Sequence, residues 1–108
     1  MARFGRVMTA MVTPFTEDGS LDVDGAAALA RWLQEQGNEG LVVAGTTGES
    51  PTLSHDEKLS LWEAVADAVT IPVVAGSGTN DTAHSVHLTA EASKLGIAGI
   101  LALCPYYN

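Results

Sequence analysis

The fold class is decided by one stretch of the chain, Val42-Val43-Ala44-Gly45-Thr46-Thr47-Gly48-Glu49-Ser50. Its apolar start is typical of a parallel strand that is buried on both faces. The remainder places two glycines around two threonines, which predicts the loop at the carboxyl end of that strand, where α/β folds bind ligands. Glycine allows close backbone approach, so a small anion can reach both N–H groups and hydroxyls. We therefore predict a site for a small carboxylate or phosphate in this loop.

The first four residues of this stretch, VVAG, occur again at 73–76, one strand-and-helix unit later. Apolar runs predict strands at 7–12, 40–44, 71–75 and 97–104. Helices are expected at 26–33 behind Ser20, Asp22 and Asp24, after the capping-box pair Ser54 and Glu57, and at 82–95 behind Asp81 or Asn80. Strands that alternate with helices predict a parallel sheet with right-handed crossovers. Such a sheet is either doubly wound or part of a (β/α)8 barrel.

The residues after the predicted strands favour the barrel. Polar side chains follow the first three strands, and two tyrosines follow the fourth: Thr13; Thr46 and Thr47; Ser77, Thr79 and Asn80; Tyr106 and Tyr107. A barrel brings all these strand ends to one mouth. Nucleotide-binding motifs are incomplete, since Asp81 stands at the third glycine of G-x-G-x-x-G. A (β/α)8 barrel needs about 250 residues. We therefore expect residues 1–108 to be an incomplete N-terminal part of one TIM-barrel domain, with three βα units and a fourth strand.

Composition excludes several classes of partner. The chain has 13 acidic and 5 basic residues and a formal net charge of -8, so a nucleic-acid or anionic-membrane surface is not expected. No apolar stretch approaches the roughly 18 residues of a membrane span, and a cytoplasmic location is expected. Cys104 is the single cysteine. It is expected to be a buried, inert thiol.

Four segments resemble the dihydrodipicolinate synthase family of pyruvate-dependent class I aldolases. They are TAMVTPF at 9–15, GTTGESPTL at 45–53, PVVAGSG at 72–78 and PYYN at 105–108. The resemblance implies condensation of pyruvate with L-aspartate 4-semialdehyde, as in lysine and diaminopimelate biosynthesis. The reaction would pass through a Schiff base on a lysine, without a cofactor or a metal.

The resemblance also implies roles for three residues. Thr47 would hold the pyruvate carboxylate, and Thr46 and Tyr107 would belong to a proton relay. Tyr107 would reach into a neighbouring subunit, which implies a homodimer or homotetramer. The Schiff-base lysine would lie beyond residue 108, because Lys58 and Lys94 are interpreted as solvated helix residues, and the chain alone is expected to be inactive.

Family members that lysine inhibits bind it between subunits. The matching positions here are Ser50, Pro51, His55, Lys58, Asn80, His84 and Tyr106. Lys58 stands where a histidine is usual and His84 where an acidic residue is usual, so like-charge repulsion predicts weak or absent lysine inhibition.

Several side chains have plainer interpretations. Glu49 is interpreted as a structural carboxylate bonded to loop N–H groups. His55, His84 and His87 are interpreted as surface residues, and Trp32 and Trp62 as packing on the sheet.

Two alternatives remain for the function. One is a related aldolase of the N-acetylneuraminate lyase or keto-sugar-acid type, and the other is a non-catalytic fragment or assembly module.

Overall fold

The sheet of this chain is parallel and its strands follow sequence order, β1-β2-β3-β4. The structure, a computed structural model, describes residues 4–105. Its elements are β1 (Met8–Ala10), α1 (Val23–Glu35), β2 (Gly40–Val43), α2 (His55–Ala68), β3 (Val73–Gly76), α3 (Thr82–Ala92) and β4 (Gly99–Leu101). This alternation confirms the predicted α/β class. The first and last strands are shorter than predicted, because ladder pairing covers only Met8–Ala10 and Gly99–Leu101.

Each of the three α-helices begins at a side chain that accepts a backbone hydrogen bond. Asp22 accepts from the N–H of Gly25 at 2.8 Å at the start of α1. Ser54 and Glu57 form the predicted capping box at the start of α2. Asp81, rather than Asn80, caps α3. Local polar residues therefore fix where the helices begin, as the sequence indicated.

The core lies between the sheet and the helices, and Trp62 is its largest member. This side chain is fully buried, and its indole N–H donates to the Val43 carbonyl at 3.0 Å. The prediction for Trp32 was wrong, since 54% of it is exposed. On α1 the buried face consists of Ala26 and Ala30, and a residue two positions from Ala30 lies on a different face of the helix.

The segment after β4 is exposed, and the prediction of a buried Cys104 was wrong. β4 ends at Leu101, so Cys104 lies beyond the ladder rather than inside a strand. Leu101 and Leu103 are 49% and 44% exposed. Within residues 4–105, none of the helices combines the length and apolar character that crossing a bilayer demands.

Candidate functional site

The loop after β2, residues 44–50 and called the threonine loop below, leaves donors free for a ligand. Ala44 and Glu49 have φ values of 60° and 62°, in the left-handed region that residues other than glycine seldom adopt. Three N–H groups close the loop, from Gly48 and Ser50 to the Gly45 carbonyl and from Glu49 to the Thr46 carbonyl. The N–H groups and hydroxyls of Thr46 and Thr47 donate to no hydrogen bond among residues 4–105, and both residues are exposed. Two adjacent amides and two hydroxyls are thus available to a small anion.

Thr13 anchors the threonine loop from β1. Its side chain is 5% exposed, and its hydroxyl donates to the Gly48 carbonyl at 2.7 Å. A Cβ on Gly48 would lie 3.0 Å from the Met11 carbonyl oxygen, so a side chain at this position would press on the backbone that follows β1. The sequence placed Thr13 at the mouth as a polar strand end, but its hydroxyl supports the loop.

The loop after β3, residues 77–80 and called the serine loop below, uses its hydroxyls internally. Ser77 is fully buried, and its hydroxyl lies 2.7 Å from that of Thr89 on α3. Thr79 is tied to Ser85 through a backbone N–H bond of 2.8 Å and a hydroxyl contact of 2.9 Å. Of the polar residues predicted at this strand end, Ser77 is therefore structural and does not face the mouth.

A cavity of about 350 Å³ lies between the carboxyl ends of β2 to β4 and the N-termini of α2 and α3. It collects six of the residues predicted for a site: Thr46, Ser50, Pro51, Lys58, Asn80 and His84. Leu53, Leu101 and Leu103 provide apolar walls. Thr46 lines this cavity and Thr47 is the next residue along the exposed threonine loop. Tyr106 and Tyr107 lie outside the described residues.

Three histidines meet beside the cavity. His55 Nδ1 is 3.3 Å from His84 Nε2, and the His55 ring stacks on that of His87 with centroids 5.2 Å apart. His55 and His84 are half-buried surface residues, less exposed than predicted, and His87 is exposed as predicted. Within residues 4–105, no group of three His, Cys, Asp or Glu side chains is placed to hold a metal ion.

The interpretation of Lys58 as a solvated residue was wrong. This side chain is only 3% exposed, and burial lowers the pKa of its amine. The sequence did contain the signal, because Lys58 precedes Leu61, Trp62 and Val65 by three, four and seven positions. That spacing places the lysine on the buried face of α2.

Of two other charged residues, Lys94 was predicted correctly and Glu49 was not. Lys94 is 69% exposed and lies 3.7 Å from Glu91, so it is a solvated residue as predicted. Glu49 was predicted to bond loop N–H groups. Its side chain is exposed and makes no hydrogen bond with any of residues 4–105. This prediction was wrong, because the Gly45 and Thr46 carbonyls accept from the loop N–H groups instead.

Parallel strands that deliver an open hydroxyl loop and a cavity to one edge define a barrel-type α/β protein with its ligand site at the strand ends. Residues 3–108 match the model of the Dihydrodipicolinate synthetase family, and the chain belongs to that family. The 4-hydroxy-tetrahydrodipicolinate synthase of Acidothermus cellulolyticus is 60% identical over 99% of this chain and 35% of its own length. That of Moorella thermoacetica is 56% identical over 98% of this chain and 37% of its own length. The chain thus spans about a third of the length of these curated relatives.

Solved structures show the same similarity. Dihydrodipicolinate synthase from Cyanidioschyzon merolae with lysine bound has a TM-score of 0.96 and 44% identity over 100% of this chain and 38% of its own. The enzyme from Acinetobacter baumannii complexed with pyruvate has a TM-score of 0.89 and 38% identity, covering 94% and 36% of the two chains. N-acetylneuraminate lyase from Mycoplasma synoviae has a TM-score of 0.90 and 32% identity, covering 98% and 38%. The chain corresponds to the N-terminal part of these TIM barrels.

Proposed function

We propose that the protein carrying this chain is a 4-hydroxy-tetrahydrodipicolinate synthase, which condenses pyruvate with L-aspartate 4-semialdehyde. The observation that carries the proposal is the pair of unbonded amides and hydroxyls at Thr46 and Thr47. They lie at the strand end where a barrel enzyme binds substrate, in a chain 56% to 60% identical to synthases of that name. Residues 1–108 would form the N-terminal part of a single barrel domain.

Thr47 is assigned to the pyruvate carboxylate. Its hydroxyl and the adjacent N–H groups can donate to both carboxylate oxygens, and charge-assisted hydrogen bonds of this kind are strong. Replacing Thr47 by valine keeps the side-chain shape and removes the donor. We expect the KM for pyruvate to rise about tenfold, which corresponds to one such bond, with the unfolding midpoint unchanged. A KM equal to that of the unaltered protein would contradict this role.

Thr46 and Tyr107 are assigned to the proton relay. A threonine hydroxyl and a phenol can each donate and accept a proton, so a chain of them can move a proton to and from the reacting carbon. Thr46 lines the cavity, and Tyr107 follows the exposed end of β4 in sequence. Tyr107 would complete the site of a neighbouring subunit in a homodimer or homotetramer, and a cytoplasmic location is proposed with it.

The Schiff-base amine is assigned to a lysine outside this chain. Lys94 is solvated, and Lys58 lies on α2 rather than at a strand end. Trapping the pyruvate adduct of the intact protein with borohydride, followed by peptide mass mapping, tests the assignment. We expect the adduct outside residues 1–108. An adduct on Lys58, whose pKa burial lowers, would move the nucleophile into this chain.

A pyruvate-dependent lyase of the N-acetylneuraminate type is the second candidate, supported by the TM-score of 0.90 at 32% identity. The same family fold accepts a different aldehyde there, so the aldehyde decides between the two. The intact protein is assayed with pyruvate and either L-aspartate 4-semialdehyde or N-acetylmannosamine. Turnover of the semialdehyde is expected, and turnover of the amino sugar alone would select the alternative.

Lysine inhibition is proposed to be weak or absent. In the residues that line the described cavity there is no carboxylate, and Lys58 and His84 provide a cation and a basic ring. The ammonium of a lysine inhibitor would meet Lys58 instead of an acidic partner. Inhibition of the intact protein by sub-millimolar lysine would contradict the proposal.

A further inference from the structure

We propose that Thr13 is a positioning residue for the carboxylate site, because its hydroxyl orients the backbone N–H of Thr47 through two peptide groups that hydrogen bonds join end to end. The inference rests on the proposed function, since it takes the pyruvate carboxylate as the ligand of Thr47. It goes beyond that function, since Thr13 is assigned no contact with a substrate and acts only through the threonine loop.

The first peptide group of this chain lies between Gly48 and Glu49. Its carbonyl accepts from the Thr13 hydroxyl at 2.7 Å, and its N–H, that of Glu49, donates to the Thr46 carbonyl at 3.0 Å. In a trans peptide group the C=O and N–H bonds point in opposite directions, so this group is held on both sides at once. The Thr13 bond therefore fixes the direction in which the Glu49 N–H points.

The second peptide group lies between Thr46 and Thr47. Its carbonyl accepts from the Glu49 N–H, so its own N–H, that of Thr47, points the opposite way. The Thr47 N–H donates to no hydrogen bond among residues 4–105, and Thr47 is exposed. A carboxylate bound to this N–H would complete the chain. Because hydrogen bonds in series polarise one another, the Thr13 hydroxyl should make the Thr47 N–H a better donor.

Burial keeps water from replacing the Thr13 bond. The Thr13 side chain is 5% exposed. A Cβ on Gly48 would lie 3.1 Å from the Thr13 Oγ1 and 3.0 Å from the Met11 carbonyl oxygen, so the backbone that follows β1 packs closely against Gly48. Removing the Thr13 hydroxyl would leave the buried Gly48 carbonyl without this donor, and an unsatisfied buried carbonyl is unfavourable. The peptide group is then expected to rotate, and the chain to break.

The backbone of Glu49 requires a support of this kind. Its φ is 62°, and a residue other than glycine keeps such a conformation only where its surroundings hold it. The Glu49 side chain is exposed, whereas the peptide group that precedes it is bonded to Thr13 on one side and to the Thr46 carbonyl on the other. The same two bonds thus hold the left-handed residue and direct the Thr47 N–H.

Variants of the intact protein at Thr13 test the inference. Thr13→Val keeps the side-chain shape and removes the donor, so it should raise the KM for pyruvate about fivefold, as expected for one hydrogen bond, and leave kcat unchanged. Thr13→Ser keeps the hydroxyl and should restore the KM. Ser77→Ala is the matched control, because it also removes a buried and bonded hydroxyl. Both Thr13→Val and Ser77→Ala should unfold at a lower urea concentration, but only Thr13→Val should raise the KM.

The kinetic outcomes distinguish this inference from the proposed function. Turnover with an unchanged KM in Thr13→Val would overturn the inference and leave the function intact. An equal rise of the KM in Ser77→Ala, or a Thr13→Ser variant no better than Thr13→Val, would overturn it as well. Absence of turnover in the unaltered protein would contradict the proposed function, and calorimetric titration with pyruvate then decides the inference. The same loss of affinity in Thr13→Val would support it, and absence of pyruvate binding would overturn it.

A second measurement does not depend on how any variant folds. In NMR spectra of the unaltered, isotope-labelled protein, the amide proton of Glu49 should move downfield when pyruvate binds. The Glu49 N–H is already bonded to the Thr46 carbonyl, but a carboxylate at the Thr47 N–H polarises that carbonyl and strengthens the bond. If the Thr47 resonance moves and the Glu49 resonance does not, the two peptide groups are not coupled and the inference is wrong.

Discussion

The loops after β2 and β3 follow the same four-residue sequence, but their hydroxyl groups differ in whether they are hydrogen-bonded within the protein. VVAG at 42–45 runs into the threonine loop, and VVAG at 73–76 directly precedes the serine loop. In the threonine loop Ala44 turns into the left-handed region, and the hydroxyls of Thr46 and Thr47 have no partner among residues 4–105. In the serine loop the hydroxyl at the position equivalent to Thr46, that of Ser77, is buried against Thr89.

The difference comes from the helix that faces each loop. α3 presents Ser85 and Thr89, and these side chains consume the donors of the serine loop. α2 presents Lys58, Leu61 and Trp62, none of which pairs with the threonine-loop hydroxyls. A hydroxyl at a strand end is therefore available to a ligand only where the adjacent helix offers it no partner.

The largest expected difference is in kcat, between variants that remove the equivalent hydroxyls of Thr46 and Ser77. Thr46→Val removes a hydroxyl of the proposed proton relay. Because proton transfer would then lack this group, kcat of the intact protein should fall by about a hundredfold to ten-thousandfold. The unfolding midpoint should not fall, since the Thr46 hydroxyl is exposed and unbonded. Ser77→Ala is the matched control and should keep kcat. A catalytic loss that is equal in both variants would erase the functional distinction between the loops.

The next largest difference is expected in the free energy of unfolding when the equivalent glycines, Gly45 and Gly76, are replaced by alanine. A Cβ on Gly76 would lie 2.3 Å from the Ala44 carbonyl oxygen, whereas one on Gly45 would lie 3.3 Å from a Val42 methyl. Backbone cannot yield as a side chain does, so Gly76→Ala should lower the free energy of unfolding by about 3 kcal/mol, near the upper end for overpacking. Gly45→Ala should cost about 1 kcal/mol or less. Urea denaturation of both variants measures the gap, and equal midpoints would show that the strand ends are not in close contact.

The sequence predicted features within a single helix or strand better than contacts between elements. The capping box at Ser54 and the buried apolar strands followed from spacing within each element. The role of Ser77 did not follow from spacing, because its partner Thr89 is 12 positions away on α3. Lys58 was misjudged for a related reason: its charge suggested solvent, although its register with Leu61, Trp62 and Val65 placed it on the buried face.

The hydrogen bond between Ser77 and Thr89 should contribute less to the free energy of unfolding than the close packing at Gly76. Ser77→Ala leaves the Thr89 hydroxyl without its partner, which should cost about 1.5 kcal/mol. Adding Thr89→Val removes both polar groups and should recover part of that loss. Urea denaturation of the two single variants and the double variant gives the coupling energy. Strict additivity would mean that the 2.7 Å contact does not stabilise the serine loop.

The smallest difference is expected at the alanines of the two VVAG segments. Ala44 and Ala75 are both fully buried, but only Ala44 has a positive φ, of 60°. Replacing either by glycine loses a methyl group and increases the freedom of the unfolded chain, which together cost about 1.5 kcal/mol. At Ala44 glycine also relieves the left-handed conformation, which returns about 1 kcal/mol. Ala44→Gly should therefore unfold at a higher urea concentration than Ala75→Gly. If the two midpoints coincide, the left-handed turn at Ala44 stores no strain.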